Sequence, residues 1–208
     1  MIQRGGVQTL TLRGVGEKLG VSRTALYRHF ADKSALLAAV ARDGFQTLRL
    51  QLLQVWDAQG GGRRGFEAMG AAYVQFAVAN PSHYRVMFGG YVNGEGARDP
   101  VLAKEGAAAF QVLVDAVVSL QQLGLFKPDP ALPLAQYIWA NVHGIAMLAI
   151  DGQLKQPVDE VVRFANERIL GGIATTSMVH GWEPKRPRAR KVRSGSIDDD
   201  RAIPRLVR

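Results

Sequence analysis

Residues 11–37 read TLRGVGEKLGVSRTALYRHFADKSALL, and this stretch decides how the chain folds. Thr11, Ser22 and Asp32 each stand just ahead of a run with helical spacing, and each carries a side-chain oxygen able to accept from a helix's first backbone N–H groups. Gly20 lies between the first two runs, where a left-handed turn suits glycine. The pattern predicts a helix over 12–19, a second over 23–30 and a third beginning after Asp32. Leu12, Val15 and Leu19 are expected to face inward from the first helix, and Val21, Leu26 and Phe30 from the second part.

Two short helices joined by a glycine turn form a helix-turn-helix, in which the second helix enters a major groove while the first braces it on the backbone. The outer face of the second helix holds Arg23, Thr24, Tyr27, Arg28 and His29. Arg can grip guanine O6 and N7 with two bonds, Thr can bond or offer a methyl, and Tyr and His reach phosphate oxygens. Lys33 and the hydroxyls of Thr11 and Ser22 would add phosphate contacts. On charge alone, a solvated polar face on a helical hairpin fits equally well.

The net charge of +8 is unevenly placed. Residues 1–40 carry six basic side chains against Glu17 and Asp32, and residues 181–208 carry nine against four. The basic side chains of the region with apolar periodicity therefore concentrate around the helix-turn-helix, as a polyanion-binding surface requires. Cysteine is absent, which excludes disulfides, thiolate metal sites and thiol nucleophiles. The longest apolar run, around residues 138–150, holds Asn141 and His143 and is too short to span a bilayer. Met1–Gly6 is not followed by the apolar region of a signal peptide, so a cytoplasmic location is expected.

Apolar residues recur at helical spacing along nearly the whole chain, with no sustained period-two alternation. The expected fold is all-α. After the third helix, which runs toward Trp56, the glycines of 59–65 predict a flexible connection. Helices follow over 66–80, 82–88, 100–123, 134–150 and 158–176, with a loop at 91–100 and a proline-rich linker at 127–133. Beyond Trp182 the composition turns to Pro, Arg, Lys, Ser and Asp, which predicts a disordered basic tail. The last two helices carry more than one apolar stripe, Tyr137, Ile138 and Leu148 on one and Val162, Phe164 and Ile173 on the other among them, and the surplus suggests a partner chain.

The run at 11–37, with Gly20-Val21-Ser22, Leu26-Tyr27, His29-Phe30 and Lys33, resembles the DNA-binding signature of the TetR/AcrR family of one-component regulators. The resemblance implies that Arg23, Thr24 and Ala25 face bases, that Thr11, Ser22, Tyr27, His29 and Lys33 hold phosphates, and that Arg28 does either. It also implies a further helix of several turns ahead of the motif, for which only Met1–Leu10 stand. If nothing precedes Met1, the three-helix core lacks a wall and its grip on DNA is weaker than the motif suggests; the alternative is a truncated chain or a start placed too late. Gly16 stands where the family usually has Ala, at a cost of roughly 1 kcal/mol in helix propensity.

Two later segments, NPSHYRVMFGG (80–90) and IWANVHG (138–144), resemble a C-terminal subtype named for a Trp-His-Gly signature. Trp139 and His143 are four apart and share a helix face. With Tyr84, Met87 and Phe88 nearby, as the resemblance implies, they would line a cavity for a flat or apolar molecule. Alternatively Trp139 is core and His143 bonds a backbone carbonyl. The four histidines, His29, His83, His143 and His180, show no ligand spacing, so no metal is expected. No cofactor is expected either, and His143 has no catalytic partner in its motif, so the chain is not expected to be an enzyme.

The domains expected are a helix-turn-helix domain at 1–48, a helical ligand-binding and dimerisation domain at 49–180 and a basic tail at 181–208. The resemblance implies a homodimer through helices 134–150 and 158–176, which also suits DNA, since two half-sites about one turn apart add their contacts. The expected function is a ligand-responsive repressor that binds a palindromic operator as a dimer and is released by a small-molecule effector. The alternatives are a helical small-molecule-binding protein or enzyme with an incidental basic N-terminus, and a nucleoid-type or membrane-surface binder using the tail.

Overall fold

The computed structural model describes residues 6–91 and 99–175, and among them the chain is helical apart from a single antiparallel bridge between Phe126 and Ala174. The predicted tail, most of the 91–100 loop, Thr176 and His180 lie outside the described residues; the last helix, predicted to run to 176, ends at Ile173, where Ala174 turns extended and pairs with Phe126. A short 3₁₀ turn, Val7–Thr9, leads into α1 (Leu12–Leu19), α2 (Arg23–His29) and α3 (Lys33–Ala58). The three expected caps form. The Gly14 N–H donates to Thr11 Oγ1 at 3.1 Å, Ala25 N–H to Ser22 Oγ at 3.2 Å and Ala35 N–H to Asp32 Oδ1 at 2.8 Å. Gly20 ends α1 at φ 67° and ψ 23°, the left-handed turn that lets α2 fold back.

The inward faces of this unit differ from expectation at the turn. Leu12 and Leu26 are buried, but Leu19 is 65% and Val21 43% exposed. Leu19 is the last residue of α1 and Val21 lies in the turn before α2, so neither is covered by a further helical turn. Val7 and Leu10 from the leading segment are buried against Leu37, Ala41 and Val86.

Beyond α3 come α4 (Gly62–Ala79), α5 (Pro81–Phe88), α6 (Pro100–Gln122), α7 (Ala131–Ile150) and α8 (Val158–Ile173). Two of the expected connections are shorter than predicted. Helix α4 starts at Gly62 rather than after Gly65, because Gly65 is a close-packing site. A Cβ there would lie 2.9 Å from Trp56 Cε3. Helix α7 starts at Ala131 and takes Pro133 into its first turn, where the missing N–H would have had no intrahelical acceptor. Asp99 caps α6 by accepting from the N–H groups of Val101 and Leu102.

Helices α3, α4, α6 and α7 pack around one apolar interior, with α5 against α3 and α8 closing over α4 and α7. Val74, Ala77, Val117, Leu120, Ala135 and Ala146 are fully buried there. On α7 and α8 the second apolar stripe stays outside, with Tyr137 53%, Leu148 47% and Phe164 60% exposed.

Candidate functional site

On α2, the capping bonds leave a defined set of groups on the outside. Thr24, Tyr27, Arg28 and His29 are exposed, Ala25 is half-buried, and Lys33 follows half-buried at the start of α3. Arg23 opens α2, and its side chain lies outside what the structure describes. Thr11 and Ser22 are exposed and accept from the backbone through their oxygens, which leaves each hydroxyl proton to be donated outward. Helix α2 is drawn tightly onto α1 at Gly16, where a Cβ would meet Leu26 Cδ1 at 3.0 Å and the Val21 carbonyl oxygen at 3.2 Å. The glycine there permits a close approach as well as lowering helix propensity.

The expected C-terminal residues come together around a buried aromatic cluster, and α4 adds a member that sequence reasoning missed. Tyr84 of α5 is fully buried and lies 2.7 Å from His143 Nδ1 through its hydroxyl. Tyr73 of α4, the added member, sits 2.9 Å from the Tyr84 hydroxyl and 3.1 Å from the same nitrogen, and accepts from Trp139 Nε1 at 2.9 Å. Burial raises both phenols, Tyr73 to about 12 and Tyr84 further, so both keep their protons. Burial lowers the His143 pKa, so its ring stays neutral, with Nδ1 within hydrogen-bond reach of both hydroxyls. His143 therefore bonds phenols rather than a backbone carbonyl.

In front of this cluster lies a cavity of about 340 Å³, within the range of roughly 300–1,000 Å³ usual for small-molecule sites. Phe88 and Trp139 line it, together with Tyr73, Phe45, Phe66 and Phe110. Tyr84 and His143 stand behind the wall and fix Tyr73 and Trp139 in place. Met87 also lies outside it, filling the space that Gly44 leaves on α3. The polar lining residues are Gln136 and Asn166, again missed. The signal for Asn166 was present: it occupies a core position between Val162 and Ile169 on α8, where an amide needs a reason.

One end of the cavity connects to the DNA-facing unit through the same two helices. Helix α3 starts at the Asp32 cap and carries Phe45, Leu48 and Leu52 to the cavity wall. Helix α5 presents Phe88 to the cavity and Val86 to the core that holds Val7, Leu10 and Leu37. Arg85 ties α5 to the end of α7 by an ion pair with Asp151. Among the described residues there is no cluster of three or more His, Asp or Glu that could hold a metal, and no helix long and apolar enough to cross a membrane.

Comparison with known proteins agrees with this geometry. Residues 1–40 match the family model for bacterial regulatory proteins of the tetR family, and residues 66–169 match that for the tetracyclin repressor-like C-terminal domain. A protein of unknown function from a Rhodococcus species shares 34% identity, with 84% of this chain and 90% of that one covered and a TM-score of 0.75. The TetR regulator PfmR from Thermus thermophilus shares the fold at 15% identity, covering 82% and 92%, TM-score 0.67. The ketosteroid transcriptional regulator KstR2 of Mycobacterium tuberculosis does so at 17%, covering 84% and 90%, TM-score 0.62. Comparison with curated proteins gives no match. With a capped helix-turn-helix at one end and a helical domain matched over 66–169 at the other, the chain belongs to the TetR family of bacterial transcriptional regulators.

Proposed function

We propose that the chain works as a homodimer whose two α2 helices read an inverted-repeat operator, and that a small molecule in the aromatic cavity weakens that grip. The observation that carries this reading is the continuity of α3. One helix begins at the Asp32 cap beside the DNA-facing surface and ends against the cavity, with no break between Lys33 and Ala58. A ligand that changes how Phe45, Leu48 and Leu52 pack must therefore move the helix-turn-helix or strain the helix. Helix α5 offers a second route, since Phe88 and Val86 face the two ends.

The base contacts assigned to Arg23, Thr24 and Ala25, and the phosphate contacts assigned to Thr11, Ser22, Tyr27, His29 and Lys33, are supported by the exposure of most of these residues around α2. Arg28 fits either role. The exposed Tyr137, Leu148 and Phe164 support a dimer through α7 and α8. A regulator acting on DNA works in the cytoplasm, and its chemistry is binding rather than catalysis: His143 Nδ1 is engaged by the Tyr84 and Tyr73 hydroxyls.

The coupling is tested by screening small molecules for a rise in Tm and then titrating duplex DNA in their presence. Compounds that bind the cavity should lower DNA affinity by about 5- to 150-fold, the usual range of allosteric coupling. Cavity binders that leave DNA affinity unchanged would contradict the proposal.

A further inference from the structure

We infer that the cavity selects an uncharged, ring-containing molecule that carries a hydrogen-bond donor, such as a hydroxyl, at the end facing Asn166. The inference rests on the reading of this cavity as the ligand site. Three observations lead to it.

The first is charge. No Asp, Glu, Lys, Arg or His lines the cavity among the described residues. An ionised ligand would lose its hydration there and find no counter-charge, so the site rejects carboxylates and ammonium groups.

The second is shape. Phe45, Phe66, Phe88, Phe110 and Trp139 stand around the space, and Trp139 is held in place by the bond from Nε1 to Tyr73 Oη. Fixed aromatic walls favour a flat or ring-built apolar body over a flexible chain, which would lose more conformational freedom on entry. Tyr73 Oη is already engaged by Trp139 and Tyr84, and Gln136 is exposed to solvent, which leaves Asn166 as the buried polar anchor.

The third is the state of Asn166. It is 7% exposed and its Nδ2 donates to the Glu67 carbonyl oxygen at 3.3 Å. A carbonyl only accepts, so the nitrogen must face Glu67, and Oδ1 is the amide atom left over. Oδ1 lies beside Gly70, close enough that a Cβ at position 70 would sit 2.9 Å from it, and Gly70 and Asn166 both line the cavity. The missing side chain at Gly70 thus leaves room at the wall for the amide oxygen of Asn166. Such an oxygen is satisfied by an O–H or N–H on the ligand and by nothing that only accepts.

The test is equilibrium dialysis of the full chain, without DNA, against β-naphthol, its methyl ether and β-naphthoate at neutral pH. These share one ring system and differ in donor and charge. The expected result is β-naphthol bound about tenfold more tightly than the methyl ether, the yield of one well-placed hydrogen bond, with β-naphthoate weakest. Asn166→Ala should bring β-naphthol down to the level of the methyl ether. Gly70→Ala, which displaces Oδ1 from α4 and leaves Asn166 itself in place, should act in the same direction. Equal binding of alcohol and ether, tightest binding of β-naphthoate, or retention of none of the three would overturn the inference. Each of those outcomes leaves the DNA-binding reading standing, because DNA is absent from the assay. Conversely, correct discrimination by a protein that binds no duplex would keep the ligand class and remove the regulator.

Discussion

The helix-turn-helix and the cavity are built from interactions of opposite range. In the first, the side chains that shape the backbone act on residues three positions away: Thr11 on Gly14, Ser22 on Ala25, Asp32 on Ala35. In the second, the bonds that meet at His143 and Trp139 join residues 59, 66 and 70 positions apart. The first region is specified by local sequence and presents its polar groups outward. The second exists only once α4, α5 and α7 are assembled, and it turns its polar groups onto each other so that an apolar space is left. A regulator needs both kinds, a surface that stays the same on every binding event and an interior that responds.

If that contrast holds, the costliest substitution belongs to the interior. Tyr84→Ala removes a fully buried ring and leaves Tyr73 and His143 short of a partner, and it should lower stability by about 3–5 kcal/mol in a denaturant titration. A loss no greater than that of a single helix cap would show that the cluster does not hold the interior together.

Arg23→Ala tests the exterior. It should cost about 1–3 kcal/mol of discrimination at one base pair of each half-site while leaving Tm unchanged. Unaltered base preference in a competition assay would take Arg23 out of the base-reading set.

Ser22→Ala should cost about 1 kcal/mol, as caps do. Amide exchange should quicken in α2 while α7 stays protected, and quickening in both would mean the two regions unfold as one.

The interior also predicts a pH dependence. Burial lowers the His143 pKa, so between the folded value and the ordinary 6.5 the unfolded chain binds the extra proton. The stability due to neutral His143 is therefore complete above about pH 6.5 and is lost as the pH falls below it. His143→Gln, which keeps a hydrogen-bonding side chain and cannot titrate, should flatten that part of the stability profile.

The smallest effect is expected at Gly16→Ala. A helix-propensity gain of roughly 1 kcal/mol is set against crowding of Leu26 and the Val21 carbonyl, and the net change should stay within about 0.5 kcal/mol by thermal melting.

How much of this was legible in the sequence follows the same divide. The three caps, the Gly20 turn and the outward residues of α2 could be read directly, since each depends on a few neighbouring residues. The reading went wrong where a glycine or proline had a packing role. Gly65 looked like linker because Trp56, the ring that covers it, lies on another helix, and Pro133 did so because the helix start at Ala131 has no side-chain cap. Leu19 and Val21 were placed inside by a periodicity that fails at the Gly20 turn, where no further helical turn covers them. Trp139, His143, Tyr84 and Phe88 were brought together by resemblance. Tyr73, Gln136 and Asn166 were missed, since a tyrosine in an apolar helix gives no hint of which distant hydroxyl it will meet. The basic tail and the side chain of Arg23 fall outside the described residues.

The central claim is that a pair of α2 helices reads a specific duplex, and binding-site selection from random double-stranded DNA tests it most directly. The account predicts enrichment of an inverted repeat whose half-sites lie about one helical turn apart, bound by two chains together. Recovery of no preferred sequence, or of a lone half-site bound by a single chain, would contradict it.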